Sequence, residues 1–316
     1  MSSPLRIAFH DGTADNHKMQ SWIERLTPYL GAFEMVGLTD PLAEQAEIAL
    51  VWSPPHGRLA ECTQLQLIVS LGQGVDHLMS DETISSQVPI VRLVDENMSH
   101  ALSQWVILNL LDHYRDGPFY RNNRTEHAFI QREQFDTAGL AVGVYGMGAI
   151  GRVIAERLSA IGFCVSGWSR TRQDFGDAIT ACTGEAGFKQ MLANCQAHIC
   201  ILPLTPQTTG LFHRDVFAQM PRGAYFINGG RGRQVVEADL LEAVRSGHLS
   251  GAALDVFETE PLPSEHPFWD EDRITIWPHV AAQTNPNTAA RQVAQAISDC
   301  LNGIAPKNQV QRTRGY

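Results

Sequence analysis

A glycine pattern near the middle of the chain constrains the fold more than any other feature of the sequence. Three glycines stand at the spacing G-x-G-x-x-G, directly after an apolar run and at the start of a helical pattern. The first glycine permits a tight turn, the second lets backbone N–H groups approach a pyrophosphate, and the third lets helix and strand pack closely. The pattern predicts a dinucleotide-binding loop rather than a glycine-rich structural turn. That loop consists of Gly146, Met147, Gly148, Ala149, Ile150 and Gly151.

Short apolar runs alternate with helical patterns along most of the chain. Their apolarity is continuous rather than alternating, which is typical of strands covered on both faces in a parallel α/β sheet. The six strands of the second series match a doubly wound nucleotide-binding sheet. The predicted strands are Leu5–Phe9, Ile48–Trp52, Leu67–Leu71 and Val88–Val94 in the first series, and Leu140–Tyr145, Phe163–Trp168, His198–Pro203, Ala224–Asn228, Ala252–Val256 and Ile274–Trp277 in the second.

Three helices are predicted from their apolar faces and end signals. One begins after Gly148 and has an apolar face that extends to Ile161. Another has Asn285 as its cap and Pro286 in its first turn. The third runs from Ser99 to about Arg115 and is apolar nearly all round. Such a helix is either central to a large core or shared with a second subunit, and the pattern favours neither.

Composition and charge exclude several classes of protein. The chain has 316 residues, enough for two domains, and 34 acidic against 24 basic residues give a formal net charge of −10. We therefore expect no binding to nucleic acid or to an anionic membrane, because both depend on a basic surface. A local positive pocket can still hold an anionic substrate.

The cysteines and the apolar runs bear on metal binding and on the cellular compartment. Six cysteines are scattered without a C-x-x-C pair, and no Cys/His cluster has the spacing of zinc ligands, so no metal site is expected. The sequence shows neither an uncharged apolar run of membrane-spanning length nor the pattern of a signal peptide. We therefore expect the cysteines to be reduced thiols and the protein to be cytoplasmic.

The residues after the second strand of the second series bear on the type of dinucleotide. Ser169 stands where an NAD-binding protein carries an acidic residue for the ribose 2′-hydroxyl. A hydroxyl followed by Arg170, Thr171 and Arg172 suits a 2′-phosphate, since guanidinium groups are planar, two-pronged donors. We therefore expect NADP(H) to be preferred over NAD(H). The alternative is that both arginines are ordinary solvated charges at a strand end.

Three polar segments follow predicted strands of the second series, at the edge where open α/β sheets bind ligands. Asn228–Gly232 contributes Arg231, Asp255–Pro263 contributes two competing glutamates, Glu258 and Glu260, and Pro278–Ala282 contributes His279. Beside a nicotinamide, such a set suits the reduction of a carbonyl that carries a carboxylate. Arginine can hold the carboxylate and polarise the carbonyl, histidine can deliver a proton as hydride arrives, and glutamate can keep the imidazole charged.

Over essentially its whole length the chain resembles a known family, the D-isomer-specific 2-hydroxyacid dehydrogenases. It is most similar to the glyoxylate/hydroxypyruvate reductase A branch, which shares the Trp-x-Pro-Pro segment at 52–55, a Trp-Ser-Arg strand end at 168–170 and the Arg-Gly-Tyr sequence at 314–316. The resemblance implies catalytic roles for Arg231, for Glu260 rather than Glu258, and for His279.

The resemblance also implies binding roles for other segments. The stretch 71–76 is similar to the family loop whose backbone amides hold the substrate carboxylate. The substrate-binding residues are therefore expected to be Trp52, Gly72, Gln73, Gly74 and Arg231. Gln73 stands where the branch often has a smaller residue, which narrows the pocket. Leu202 and Pro203 belong to a stretch that resembles the family's loop over the cofactor, and Asp255 resembles its partner for the nicotinamide carboxamide.

The fold implied by the resemblance is α/β, with two Rossmann-like, doubly wound parallel-sheet domains and an interdomain cleft. Residues 1–98 plus 286–316 are expected to form a flavodoxin-like substrate-binding domain, and residues 99–285 a dinucleotide-binding Rossmann domain. The resemblance further implies a homodimer with the Ser99–Arg115 helix in its interface.

The implied reaction is the NADPH-dependent reduction of a small-molecule 2-oxo acid (glyoxylate or hydroxypyruvate) to a 2-hydroxy acid (glycolate or D-glycerate), with His279 as proton donor. Two alternatives stay open at this point. One is an NAD(P)-binding, corepressor-like sensing protein, and the other is a related dehydrogenase with another substrate, such as formate or phosphoglycerate.

Overall fold

The computed structural model describes residues 4–13, 16–134, 136 and 138–313. The chain divides into two compact units, of which the first contains Met1–Met98 and Gln283–Tyr316 and the second contains Ser99–Ala282. The boundary expected after residue 285 falls after Ala282 instead. The reason is that Thr284 donates a hydrogen bond to the carbonyl of Leu71 in the first unit, and Asn285 caps the helix that follows. The Arg-Gly-Tyr sequence at 314–316 lies outside the described residues.

Helices and strands alternate in both units. In the described residues they are β1 (Leu5–His10), α1 (Met19–Leu30), β2 (Phe33–Gly37), β3 (Ile48–Val51), β4 (Leu67–Ser70), α2 (Asp76–Met79), β5 (Ile90–Val91), α3 (Glu96–Tyr114), α4 (Gly117–Thr125), β6 (Ala141–Tyr145), α5 (Ala149–Ala160), β7 (Cys164–Ser169), β8 (Ile179–Thr183), α6 (Gly184–Asn194), β9 (Ala197–Cys200), α7 (Arg214–Phe217), β10 (Ala224–Asn228), α8 (Glu237–Arg245), β11 (Leu249–Leu254), β12 (Ile274–Ile276) and α9 (Pro286–Leu301). Short 3₁₀ turns lie at Pro41–Gln45, Arg58–Glu61, Gly232–Gln234 and Pro267–Asp270.

The sheet of the first unit is parallel throughout, with the strand order β2-β1-β3-β4-β5 in the described residues. This is the order of flavodoxin-like doubly wound sheets. Buried apolar side chains cover both faces, and α9 supplies Val293 and Ile297 to one of them. The interpretation of the apolar runs as strands buried on both faces is therefore correct for this unit.

The sheet of the second unit has the order β12-β11-β10-β9-β6-β7-β8, again with parallel neighbours in the part of the chain that the structure describes. Its central strands reproduce the Rossmann order, in which the direction of winding reverses between β6 and β9. Ligands of such sheets bind at the carboxyl ends of the strands beside that reversal. The prediction of two Rossmann-like, doubly wound parallel sheets is confirmed.

Two strands were not predicted, and both lie at sheet edges. β2 is only half-buried along its whole length, and in β8 only Ile179 and Cys182 are buried. An edge strand needs no continuous apolar run because one of its sides faces solvent, so neither segment carried the signal used for the other strands.

The helices differ from prediction mainly at their ends. α3 begins at Glu96 rather than after Ser99, because the carboxylate of Asp95 accepts the Asn97 N–H and caps the helix earlier. Ile161 follows the last residue of α5 and is 47% exposed, so it is not part of the buried face. α9 begins at Pro286 with the Asn285 side chain accepting from the Asn287 N–H, as predicted.

The described residues contain neither a membrane-spanning helix nor a metal-binding cluster. No helix among them combines the length and apolarity needed to cross a lipid bilayer. No group of three or more His, Cys, Asp or Glu side chains in the same residues is arranged to hold a metal ion. All six cysteines are free thiols.

Candidate active site

The glycine loop after β6 has the geometry that a pyrophosphate-binding turn requires. Gly146 has a φ of +108°, and a Cβ there would lie 2.6 Å from the carbonyl oxygen of Ile201. A Cβ on Gly151 would collide with the carbonyl oxygen of Gly146, so only glycine lets α5 begin this close to the strand. Gly148 is the N-cap of α5, and a Cβ there would meet no atom within 4 Å. The loop thus leaves open space where the N–H groups of a helix N-terminus are available to an anion.

The remaining residues of the loop differ in their burial. Met147 is 3% exposed, and its side chain fills the space beside Gly167 of β7. Ala149 is exposed in the first turn of α5, and Ile150 is half-buried against the core.

At the end of β7, two arginines follow a serine whose hydroxyl already donates a hydrogen bond within the turn. Ser169 is buried, and its Oγ donates to the carbonyl of Thr171 at 2.8 Å. Thr171, Arg170 and Arg172 are exposed. The hydroxyl of Ser169 therefore shapes the turn that displays the two guanidinium groups, a role that the sequence did not indicate.

Arg231 lies in the turn after β10, and its backbone is fixed by two buried amide side chains. Its N–H donates to Gln234 Oε1 at 2.9 Å, and its carbonyl accepts from Asn228 Nδ2 at 3.0 Å. Gln234 also donates from Nε2 to the carbonyl of Leu202 at 2.7 Å. Its side chain thereby joins the turn that carries Arg231 to the segment after β9.

Gln234 is a site residue that the sequence pattern did not indicate. It is completely buried, and a glutamine in such a position must use all its hydrogen-bonding groups to offset the loss of solvation. The neighbouring Gly232 is equally constrained, because a Cβ there would collide with the backbone of Phe257. The turn around Arg231 is therefore held rigidly against the segment that leads to Glu260.

His279 and Glu260 form the closest polar pair of the site. The distance from His279 Nδ1 to Glu260 Oε2 is 2.7 Å, and the two side chains are 36% and 34% exposed. The other carboxylate oxygen of Glu260 accepts the N–H of Phe257 at 2.9 Å, which orients the group. Of the two glutamates that competed for this place in the sequence, Glu260 contacts the histidine, whereas the backbone N–H of Glu258 donates to Glu237.

Arg231 and His279 both act electrostatically on Glu260. Burial by itself raises the pKa of Glu260. The hydrogen bond and charge of His279, the N–H of Phe257 and the charge of Arg231 together lower the pKa by more than burial raises it. The net pKa of Glu260 lies below its ordinary value, so the carboxylate is ionised at neutral pH. The structure therefore brings the three residues predicted to be catalytic into one cluster.

Asp255 organises the backbone beneath His279. One of its carboxylate oxygens accepts the N–H of Val280 at 2.8 Å and the N–H of Ala281 at 3.0 Å, while its own carbonyl accepts the N–H of His279. His279 has a φ of +54°, in the left-handed region that costs a side-chain-bearing residue energy. Burial raises the pKa of Asp255 despite these N–H groups and the charge of His279, which lower it.

The predicted substrate loop of the first unit follows β4. Gly72 lies directly under the indole of Trp52, since a Cβ at this glycine would overlap the ring. The Oγ of Ser70 accepts the N–H of Gly72 at 3.3 Å and donates to the carbonyl of Gly74 at 3.2 Å. The N–H groups of Gln73 and Gly74 donate to no acceptor among the described residues.

Two cofactor-loop residues predicted after β9 lie in a turn stabilised by its own side chains. Leu202 is buried and its carbonyl is the acceptor for Gln234, while the carbonyl of Pro203 accepts the hydroxyl of Thr208 at 2.7 Å.

Comparison with known proteins agrees with this geometry. The family model for the NAD binding domain of D-isomer specific 2-hydroxyacid dehydrogenases matches residues 107–281. Curated relatives named glyoxylate/hydroxypyruvate reductase A are 37% identical over 278 residues (Yersinia enterocolitica) and 36% identical over 276 residues (Serratia proteamaculans), in each case over 86% of this chain and 88% of the relative.

Solved structures are similar over nearly the whole chain. A D-isomer specific 2-hydroxyacid dehydrogenase from Xanthobacter autotrophicus in complex with NADPH and MES has a TM-score of 0.91 and 35% identity, covering 99% of this chain and 100% of that one. An NADPH-dependent glyoxylate/hydroxypyruvate reductase from Sinorhizobium meliloti in complex with NADP and sulfate has a TM-score of 0.90 and 31% identity, with the same coverage. The glycine loop, the histidine–glutamate pair beside the dinucleotide sheet and these similarities lead to one conclusion: the chain belongs to the D-isomer-specific 2-hydroxyacid dehydrogenases, oxidoreductases that use a nicotinamide cofactor, and within them to the glyoxylate/hydroxypyruvate reductase A branch.

Proposed function

We propose that this chain reduces glyoxylate and hydroxypyruvate to glycolate and D-glycerate, with NADPH as the preferred hydride donor. The observation that carries the proposal is the 2.7 Å pair of His279 and Glu260, with Arg231 close enough for its charge to lower the pKa of Glu260. A proton donor supported by a carboxylate and a cation for an anionic substrate are the groups that this reduction needs. Curated relatives that carry this activity in their names, at 36–37% identity, support it further.

The ring nitrogen of His279 that donates the proton is identified by the orientation of the imidazole. An ionised carboxylate only accepts hydrogen bonds, so Nδ1 of His279 carries the hydrogen that Glu260 accepts. Nε2 is then the atom that donates a proton to the carbonyl oxygen of the substrate. Glu260 stabilises the positive imidazolium before the transfer, and Asp255 holds the turn that orients the ring.

The other residues bind and orient the two ligands. The bound nicotinamide cofactor supplies the hydride, and the turn at 146–151 binds its pyrophosphate through backbone N–H groups. Arg231 binds the substrate carboxylate and polarises the carbonyl. The N–H groups of Gln73 and Gly74, which donate to no acceptor in the part of the chain that the structure describes, support carboxylate binding by the loop after β4. We thus assign a substrate-binding loop to the first unit, and Arg231 together with dinucleotide binding to the second.

The preference for NADPH is proposed to depend on the turn after β7, where Arg170 and Arg172 are exposed and no acidic residue stands at the strand end. We expect Arg170→Ala to weaken NADPH binding by about 10-fold or more and to leave NADH binding nearly unchanged, because charge-assisted hydrogen bonds contribute roughly 1.5–3 kcal/mol. Cofactor fluorescence titration measures both dissociation constants.

A matched control separates this contact from a general loss of positive charge. Arg222 is also exposed, but it precedes β10 and so lies at the amino ends of the strands, away from the ligand edge. Arg222→Ala should leave both constants unchanged. Equal weakening of NADPH and NADH by Arg170→Ala would contradict a 2′-phosphate contact.

A homodimer is proposed on the apolar surface that α3 and the following segment expose. Leu108 of α3 is 53% exposed, and in the segment after α4 Phe129 is 97% and Ile130 52% exposed. Large apolar side chains at such exposure favour an association surface. Sedimentation equilibrium should give twice the chain mass, and Phe129→Asp combined with Leu108→Asp should shift it to the single-chain mass. A wild-type mass of one chain would contradict the proposal.

A spectrophotometric assay tests the reaction itself. Steady oxidation of NADPH on addition of glyoxylate or hydroxypyruvate is expected, with chiral analysis of the product identifying D-glycerate in the second case. NADPH binding without any turnover would instead indicate a sensing protein that retains the fold.

A further inference from the structure

Arg152 is the fourth residue of α5, and its side chain contacts the segment that follows β7. Its Nη2 donates to Oε1 of Gln173 at 2.7 Å, and its Cζ lies 5.1 Å from the centre of the Phe175 ring. Phe175 is half-buried and packs against the core of the second unit. The guanidinium of Arg152 is therefore held by an amide oxygen and by an anchored aromatic ring, although the residue as a whole is exposed.

These two contacts leave most of the donors of Arg152 accessible to a ligand. A guanidinium has five N–H donors, and Gln173 accepts one of them. No carboxylate of the described residues pairs with Arg152 or with the exposed Arg172, whereas the exposed Arg121 of the same unit pairs with Asp112. In a chain with 34 acidic and 24 basic residues, two such arginines on one segment suit an anion supplied by a ligand.

The position of these arginines indicates which anion they bind. Arg172, Gln173 and Asp174 line an open recess of about 440 Å³. The recess follows Ser169, at the strand end where a Rossmann sheet holds the ribose of the adenosine. Because the glycine loop binds the pyrophosphate, the 2′-phosphate is the anion that remains for the recess.

Asp174 is the one lining residue of this recess whose charge opposes a phosphate. One of its carboxylate oxygens accepts the N–H of Gly176 at 2.9 Å, which ties the carboxylate to its own turn. The charges of Arg152 and Arg172 together outnumber that of Asp174. The segment therefore keeps a net positive charge beside the recess.

We infer that Arg152 is a further cofactor-binding residue, which binds the adenosine 2′-phosphate of NADPH together with Arg172 and so contributes to the selection of NADPH over NADH. Guanidinium groups suit this role because their planar donors pair with two phosphate oxygens at once. The inference rests on the proposed preference for NADPH and adds to it a residue of the helix. Because Gln173 and Phe175 hold the guanidinium beforehand, less side-chain freedom is lost on binding.

The test is Arg152→Met, which keeps an apolar stem against Phe175 and removes the guanidinium. Calorimetric titration compares adenosine 2′,5′-bisphosphate with adenosine 5′-monophosphate, since these two ligands differ only in the 2′-phosphate. The dissociation constant of the bisphosphate should rise by about 10-fold or more, because charge-assisted hydrogen bonds are the strong ones. The dissociation constant of the monophosphate should stay nearly the same, and NADPH and NADH should show the same difference in fluorescence titration.

Control variants separate a phosphate contact from other effects. Arg222→Met removes an exposed arginine at the amino ends of the strands, and it should leave both dissociation constants at their wild-type values. Arg152→Lys retains a positive charge that a phosphate can use, so it should lose less affinity for the bisphosphate than Arg152→Met. The Tm of ligand-free Arg152→Met should stay close to that of the wild type, because the contacts of Arg152 lie at the surface.

Each other outcome overturns the inference. An equal loss for the two nucleotides would show that Arg152 contacts a group that both contain, and no loss for either would show that it contacts neither. A matching loss in Arg222→Met would trace the effect to net charge, and a clear fall in Tm would assign Arg152 to the stability of the segment. Wild-type protein that binds both nucleotides equally would remove the proposed NADPH preference and the inference with it. A wild-type preference for the bisphosphate that is unchanged in Arg152→Met would remove the inference alone.

Discussion

His279→Asn is expected to lower the turnover number for 2-oxo acid reduction by about 10²–10⁴, while the dissociation constant for NADPH stays the same. The carboxamide of asparagine cannot release a proton at neutral pH, so the carbonyl oxygen would lose its acid. Asparagine is chosen because position 279 has a φ of +54°, and asparagine tolerates the left-handed region better than most residues. Single-turnover kinetics and cofactor titration measure the two quantities.

A second histidine–glutamate pair in the same unit provides the matched control. His266 and Glu237 are 3.2 Å apart and partly buried, but they lie at the N-terminus of α8 rather than beside Arg231. His266→Asn should leave turnover unchanged. Parallel loss of NADPH binding and turnover in His279→Asn would indicate a folding defect, and near-normal turnover would exclude His279 as the proton donor.

The pH dependence of Glu260→Gln tests how the carboxylate supports the imidazole. The pKa of Glu260 lies below its ordinary value of 4.5, so its negative charge is present above that pH and is lost only as the pH falls through the lowered value. Reduction requires the protonated imidazole, which this charge favours. Glu260→Gln should therefore lower kcat at neutral pH, where wild-type Glu260 is ionised, and the wild-type kcat should fall towards that of the variant only as the pH drops through the lowered pKa of Glu260. An unchanged profile would contradict the pairing.

Much of the fold could be predicted because its strands are buried on both sides. Each central strand of the two sheets is a continuous apolar run, and the glycine loop marks where the second sheet begins. β2 and β8 were not predicted, because an edge strand buries too few side chains to require a continuous apolar run. The start of α3 was misplaced for a local reason, since Asp95 and Ser99 are both good caps and only the backbone shows which one is used.

The candidate site also has one part that the sequence predicts and another that it does not. Arg231, Glu260 and His279 follow three strands whose carboxyl ends meet at one edge, so their clustering follows from the topology. The supporting contacts do not follow from the topology, because Gln234 bonds the carbonyl of Leu202 and Asp255 bonds two backbone N–H groups after His279, all of them distant in sequence. A buried glutamine among apolar residues is the one signal that could have identified Gln234. The choice of Glu260 over Glu258 likewise depends on how the segment turns after Phe257.

Arg231→Lys is expected to lower kcat/KM for 2-oxo acids by about 10²-fold, although the positive charge is retained. Lysine offers a point charge, whereas guanidinium offers two parallel donors that match a carboxylate or a polarised carbonyl. The backbone of residue 231 is held by Gln234 and Asn228 through main-chain atoms, so the substitution should leave the turn intact. The charge that helps to lower the pKa of Glu260 also remains, and the pH profile should keep its wild-type shape.

Chemical rescue distinguishes the shape of the guanidinium from its charge. In Arg231→Ala, millimolar guanidinium ion should restore part of the lost activity, and ammonium ion at the same concentration should restore much less. Arg233→Lys is the control, because Arg233 is exposed two positions further along the same turn. Full activity of Arg231→Lys would show that charge alone binds the substrate, and an equal loss in Arg233→Lys would trace the effect to the turn rather than to the guanidinium.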